Sequence, residues 1–369
     1  MAESTWAARA RRIEAATPEG RDRWIDALRA LAILGVVLGH WLVTAWWVEP
    51  GGGLRITSPL SRLEWTAPLS WALQTLALFF FAGGYAAARS LRSPAGGAAW
   101  VRARLGRLLR PAGAPVLVWA GVALGAALHG MPAGTIRSLL LPAVGPLWFL
   151  AVFAALNAVT PVLLRARPSI VAACAFAVVL CVDLLRFSGT APGPLMWVNL
   201  GAGWLVPYAL GVHRARGGLV SRRAALLLLV CGTAGAVSLV TWFGYPVSMV
   251  GVTGARVSNL SPPTLAAVCL GLAQVGAALL ARGPIERLTR RPRIWAVVVT
   301  VNLGAMAIFL WHQAVPTVAV LAALRLGPGE VPGQLGPVDG LPWVLFRLAW
   351  LPVFAAALYL ALAAQPNKR

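Results

Sequence analysis

The chain has 369 residues, of which 59% are hydrophobic and only 12% charged, with a mean hydropathy of +0.75. Those proportions exclude a soluble domain of this length and point to a protein that crosses a membrane several times. The formal net charge of +21 does not indicate nucleic acid, because the arginines form short clusters between apolar runs rather than one basic face.

Apolar segments fall at residues 24–48, 67–88, 111–129, 146–164, 169–187, 200–213, 224–243, 264–281, 294–324 and 341–363. The chain therefore reads as an all-α polytopic membrane protein, a bundle of about ten transmembrane helices. The sixth segment is short, and Leu195 to Leu200 can extend it. One membrane domain, residues 24–363, is flanked by tails at 1–23 and 364–369. Basic linkers (Arg9 to Arg23, Arg89 to Arg110, Arg165 and Arg167, Arg214 to Arg223, Arg282 to Arg293, Lys368 and Arg369) alternate with nearly neutral Gly- and Pro-rich loops near 49–66, 130–145, 188–199, 244–263 and 325–340. By the positive-inside rule the basic set faces the cytoplasm, and both termini with it. The expected location is the inner (plasma) membrane. No cleavable signal peptide is evident, and the four cysteines fall in spans with neither a disulfide framework nor metal-ligand spacing.

In the first segment Arg29 and His40 stand eleven positions apart, which on a helix gives one face and about 16 Å of axial separation. With Arg29 at the cytoplasmic boundary, His40 reaches the neighbourhood of the midplane, where an ionisable group is a functional candidate. The alternative is a histidine bonded to a backbone carbonyl of a neighbouring helix. Asp26 is expected to pair with Arg29, three residues away.

The second segment closes on Phe79-Phe-Phe-Ala-Gly-Gly-Tyr85, where Gly83 and Gly84 admit close approach by a ligand or by another helix. Before the third, Arg104, Arg107 and Arg110 recur every third residue. Such a stripe suits either a polyanion held through guanidinium–phosphate bonds or an anchor among anionic lipids. In the ninth segment His312 supplies a second deep imidazole, with Asn302 as a polar partner. Prolines in or beside spans, including Pro161, Pro207, Pro316 and Pro352, imply kinks whose freed carbonyls need neighbouring donors. There is no Walker loop, nucleophile elbow, zinc signature or acidic pair in mid-span.

Together these motifs resemble the acyltransferase-3 family, membrane proteins of bacteria and animals with about ten spans that acylate carbohydrates, glycolipids and other hydroxyl-bearing acceptors. Asp26-Ala-Leu-Arg29 followed by His40 resembles the family's opening helix. Phe79 to Tyr85, Arg104-Leu-Gly-Arg107 and Trp148-Phe-Leu resemble its next three motifs, Ser258 to Pro263 a segment of a bacterial subgroup, and Leu310-Trp-His-Gln313 its late helix. The chain departs from some members in having no fused hydrolase-like domain and a Gly-Gly where they carry Ser-Gly.

The resemblance implies acyl-CoA, commonly acetyl-CoA, as a cytoplasmic donor co-substrate, no metal, and membrane lipid and a hydroxyl-bearing acceptor as partners. Arg29, Arg104, Arg107 and Arg110, with Gly83 and Gly84, would hold the donor, and His40 would act as general base or acyl carrier. His312, Trp148 and Asn302 would belong to the cavity. Trp46, Trp47 and Trp65 could stack on sugar rings or anchor the interface. The competing class is a transporter or flippase that moves a glycolipid or small anion past the two histidines without chemistry.

Overall fold

The structure is a computed structural model that describes residues 5–91, 96–190, 192–327 and 329–364. Among these, strand is confined to one hairpin, and all else of regular structure is helical. Helix α1 (Thr5–Ala15) lies against the bundle, and α2 (Arg23–Val43) begins at Asp22, whose side chain accepts the Ile25 amide. Strands β1 (Ala45–Val48) and β2 (Leu54–Thr57) pair antiparallel, with Ala45 opposite Thr57. The remaining helices are α3 (Leu69–Leu73), α4 (Leu76–Ser90), α5 (Gly97–Leu109), α6 (Gly113–Leu128), α7 (Ala133–Val144), α8 (Leu147–Leu163), α9 (Pro168–Phe187), α10 (Val198–Ala215), α11 (Arg222–Trp242), α12 (Leu265–Leu280), α13 (Arg282–Thr289), α14 (Pro292–Trp311), α15 (Ala314–Leu326) and α16 (Leu341–Ala363).

Nine stretches among the described residues are long and apolar enough to span a membrane, and ten if α12 and α13, bent by 58°, count as one. The sixth is full length, because a 3-10 turn at Gly193–Trp197 runs into α10. Several boundaries differ from expectation, each for a local reason. The first helix stops at Val43 instead of continuing to 48, because Trp46, Trp47 and Val48, aromatic and β-branched, pair across the Gly-rich turn at 49–53. His40 consequently falls in the last turn of α2. The 130–145 stretch, expected as a loop, forms α7. The C-terminal residues 365–369, including Lys368 and Arg369, lie outside the described residues.

Two helix breaks position the site. The second span is interrupted between α3 and α4 at Gln74 and Thr75, and the Thr75 hydroxyl donates to the Ala32 carbonyl of α2, 2.8 Å away. The ninth segment, expected as one span at 294–324, divides into α14 and α15 at His312 and Gln313. Pro316 has no N–H with which to cap the His312 carbonyl, and the Trp41 indole donates to that oxygen instead, at 2.8 Å. Pro142 frees the Ser138 carbonyl in the same way, and the Trp46 indole takes it at 2.9 Å. Trp46 is thereby fully buried and unavailable to stack on a sugar, whereas Trp65 is exposed.

At the centre of the bundle α4 meets α2, α8, α10 and α12. Gly84 lies directly under the Tyr208 carbonyl of α10, and Gly211 under the Phe81 carbonyl of α4, so a side chain at either position would force the helices apart. Gly84 thus serves helix packing. Trp24, Leu28, Phe81, Val206 and Leu270 fill one side of the resulting core, and Phe80, Phe149, Phe153, Trp204 and Tyr208 the other.

Candidate functional site

Two cavities lie end to end inside the bundle. The inner one, about 230 Å³, opens among the basic linkers and is lined by Arg29, Gly83, Arg104, Arg107 and Asn302. The outer one, about 310 Å³, is lined by His40, Gln74, Trp148 and Arg347 among many apolar side chains. Four residues, Val36, Leu76, Phe149 and Phe309, line both and form a collar between them. The collar is packed aromatically, with Phe149 and Phe309 ring centroids 5.2 Å apart and the Phe79 ring edge-on to Phe149 at 5.0 Å.

Two of the three inner arginines are held by a neighbour. Arg104 Nε donates to Asn157 Oδ1 at 3.0 Å, while Asn157 donates onward to the Phe153 carbonyl at 2.7 Å, and the Arg104 guanidinium lies 5.6 Å from the Trp100 ring. Arg107 lines the same cavity and is exposed, leaving its donors free for a ligand. Arg29 lies 3.9 Å from Asp26, but the carboxylate's main partner is Arg21, which reaches it with two nitrogens. That bond raises the Arg21 pKa above its ordinary value and leaves Arg29 less tightly engaged. The expected Asp26–Arg29 pair is therefore secondary, because Arg21, preceding the helix, approaches the carboxylate fork more squarely.

Two other expected residues stand elsewhere. Arg110 is exposed in the turn that links α5 to α6 and lines neither cavity, since a three-residue step falls about 60° short of an α-helical turn and two such steps carry it off the face of Arg104. Asn302 lines the inner cavity but does not partner His312. Its amide donates to the Asp26 carbonyl at 2.8 Å and the Val298 carbonyl at 3.0 Å, because it sits more than two turns earlier on α14.

The outer cavity is lined by one imidazole, His40, with a second, His312, bonded behind it. His40 Nδ1 and His312 Nε2 are 2.8 Å apart, and the rings are nearly parallel at 14°. His312 Nδ1 lies 2.7 Å from the Phe309 carbonyl, which can only accept, so that nitrogen carries the proton. In the neutral ring Nε2 of His312 is then the acceptor, and His40 Nδ1 must donate to it. The tautomer of His40 follows: its Nε2 keeps a bare lone pair. His312 itself is buried and does not line either cavity; it stands behind His40 and fixes it.

The Ser258–Pro263 segment contributes Leu260 to the wall of the outer cavity. Asn259 is fully buried, donating to the Pro246 and Ser248 carbonyls at 2.7 and 2.9 Å and accepting from Thr264 at 2.6 Å, which holds Leu260 and Gly251 against the cavity. Ser258 Oγ accepts the Leu260 amide at 3.1 Å.

Arg347, Gln74 and Asp183 are among the buried polar residues that were not singled out from the sequence. Arg347 in α16 and Gln74 at the α3–α4 break both line the outer cavity. Asp183 in α9 accepts from Asn199, Tyr245 and the Leu265 amide at 2.9, 3.1 and 2.7 Å, tying α9 to the start of α12. The available signal was similar for Arg347 and Asp183: an ionisable residue inside an apolar segment, alone in the first case and with Arg186 three residues on in the second. Among the described residues no group of three or more His, Cys, Asp or Glu could hold a metal ion.

No curated protein and no solved structure matches the chain. The model of a family described as an acyltransferase domain matches residues 22–365, nearly the whole length and all the elements that build both cavities. The chain, a multi-pass helical membrane protein, thus belongs to the acyltransferase-3 family.

Proposed function

We propose that this membrane acyltransferase takes its acyl group, an acetyl group in the simplest case, from acyl-CoA bound at the basic face and passes it to an acceptor hydroxyl in the outer cavity. The observation that carries the reading is the tautomer of His40. A ring whose Nδ1–H is committed to His312 has Nε2 as its only basic nitrogen, and it belongs to a residue lining the outer cavity. The arginines of the inner cavity suit a polyanion, and the collar suits a slender chain.

In this mechanism Arg29, Arg104 and Arg107 bind the coenzyme A phosphates, and the missing side chain of Gly83 lets the Phe153 ring pack into the wall beside them. The pantetheine arm runs through the collar toward His40. The acceptor oxygen attacks the thioester carbonyl carbon as its proton passes to His40 Nε2, a contribution of about 10²–10⁴ in rate. The resulting imidazolium strengthens its Nδ1–H bond to His312. When the tetrahedral intermediate collapses, the C–S bond breaks and the sulfur takes the proton from His40, giving the ester and free coenzyme A. His312 acts as a positioning residue.

With the basic linkers in the cytoplasm, the donor comes from the cytoplasm and the acceptor, a carbohydrate, glycolipid or similar hydroxyl compound, approaches from the opposite side. Calorimetric titration of purified protein with acetyl-CoA, followed by measurement of free thiol, tests the reading. Binding with slow thiol release supports it. Absence of any acetyl-CoA or longer acyl-CoA binding contradicts it and favours a transporter.

A further inference from the structure

The polar side chains of the outer cavity divide into those that are satisfied and those that are not. Thr66, Ser70 and Thr75 donate to the carbonyls of Leu63, Ala67 and Ala32, and His40 is bonded to His312. Arg347, Gln74 and the uncharged Trp343 indole N–H remain. Arg347 is 1% exposed, and Nε, Nη1 and Nη2 are all buried without a hydrogen-bond partner among the described residues. Both side-chain polar atoms of Gln74 are in the same condition. The guanidinium is held between the Trp343 and Phe354 rings, at 5.6 and 5.5 Å, and no carboxylate lines the cavity.

A buried guanidinium without a counter-charge is costly, far more so than a buried neutral amide. Neither the acceptor's hydroxyl nor the thioester carbonyl brings a charge. The donor's phosphates would lie beyond the collar with Arg29, Arg104 and Arg107, in a cavity that Arg347 does not line. We infer that Arg347, assisted by Gln74, binds an oxyanionic group, carboxylate or phosphate, carried by the acceptor itself. The planar two-donor fork of arginine matches both. The acceptor is then an anionic hydroxyl compound whose anion rests on α16 while its hydroxyl meets His40 on α2. At about 310 Å³ the cavity takes a molecule of roughly monosaccharide size. The identification of this ligand as the acceptor rests on the acyltransfer reading; the anion site does not.

The experiment is the thermal midpoint of full-length protein in detergent with millimolar sodium benzoate, disodium phenyl phosphate or benzyl alcohol, each against sodium chloride of equal ionic strength. Benzoate or phenyl phosphate should raise the wild-type midpoint by at least about 2 °C, and benzyl alcohol should not. The more effective anion identifies carboxylate or phosphate as the group. Arg347→Met, which keeps the length without the charge, should lose the shift, and Arg347→Lys, which keeps the charge without the fork, should show a smaller one.

No anion-specific shift in wild type, or an equal shift in either variant, overturns the site, and the wild-type result stands even if Arg347→Met fails to fold. Acetyl-CoA titration of the same samples separates the two readings. Intact donor binding without the anion shift removes the anion site, and the acceptor assignment with it, and leaves the acyltransfer reading. An Arg347-dependent shift without donor binding removes the acyltransfer reading and leaves an anion site.

Discussion

His40 on α2 and His312 at the α14–α15 break form one hydrogen-bonded unit, 2.8 Å between Nδ1 and Nε2, anchored at its far end by the Phe309 carbonyl. The unit exists because Pro316 interrupts the ninth segment. The break turns His312 inward and frees its carbonyl for Trp41, so one side chain and one backbone group of the same residue both grip the end of α2.

His312 should therefore act on turnover rather than on donor affinity. His312→Phe, which removes the acceptor for His40 Nδ1–H, is expected to lower kcat by about ten- to a hundredfold with acyl-CoA affinity within about twofold of wild type. His312→Gln retains a carbonyl oxygen and should recover part of the loss. Steady-state kinetics that move KM for the donor and leave kcat alone would assign His312 to binding instead.

The arginines should separate by position. Arg104→Ala and Arg107→Ala should weaken acyl-CoA binding, while Arg110→Ala and Arg223→Ala, which remove equal charge outside the cavity, should change it little. Arg104→Lys should recover only part of the affinity, because lysine lacks the planar fork. Calorimetry in detergent, at low and moderate salt, provides the measurement. Equal losses at all four alanine positions would make the stripe a general electrostatic surface.

Narrowing the collar should uncouple the cavities. Val36 lines both, so Val36→Trp is expected to leave donor affinity within about twofold and reduce acyl transfer at least tenfold, read as acceptor ester formed per bound donor. Unimpaired transfer in a folded Val36→Trp protein would argue that the acyl group does not pass there.

Much of this arrangement was legible in the chain. The Arg29–His40 spacing and the apolar runs specify a helix with one ligand-facing stripe, and both follow from local periodicity. The hairpin at 45–57 was hidden because Trp46 to Val48 is as apolar as the helix it follows. Likewise α7 was hidden because its Gly and Pro residues resemble loop composition.

Arg110 illustrates a different failure: a three-residue rhythm was read as one stripe, but on an α-helix it drifts by about 60° per step, so Arg110 has left the face of Arg104. Pairings made across the bundle were beyond reach altogether. Neither the meeting of His40 with His312, 272 residues apart, nor the orphaned guanidinium of Arg347 has a local signature beyond a polar residue in an apolar run.

The orientation can be tested independently. In a background without Cys174, Cys181, Cys231 and Cys269, single cysteines at exposed Gly51, Gly134 and Gly329 should react with an impermeant thiol reagent in intact cells. One at exposed Arg223 should not. The reverse pattern would invert the bundle and move the donor side outward.

The most direct test of the central claim compares turnover with donor binding in His40→Ala. The variant should fold, bind acyl-CoA within about threefold of wild type and release free coenzyme A at least about a hundredfold more slowly, because the donor site is built from Arg29, Arg104 and Arg107 on the other side of the collar while the imidazole that lines the outer cavity is lost. Near-normal release of coenzyme A by a folded, donor-binding His40→Ala protein would contradict the account.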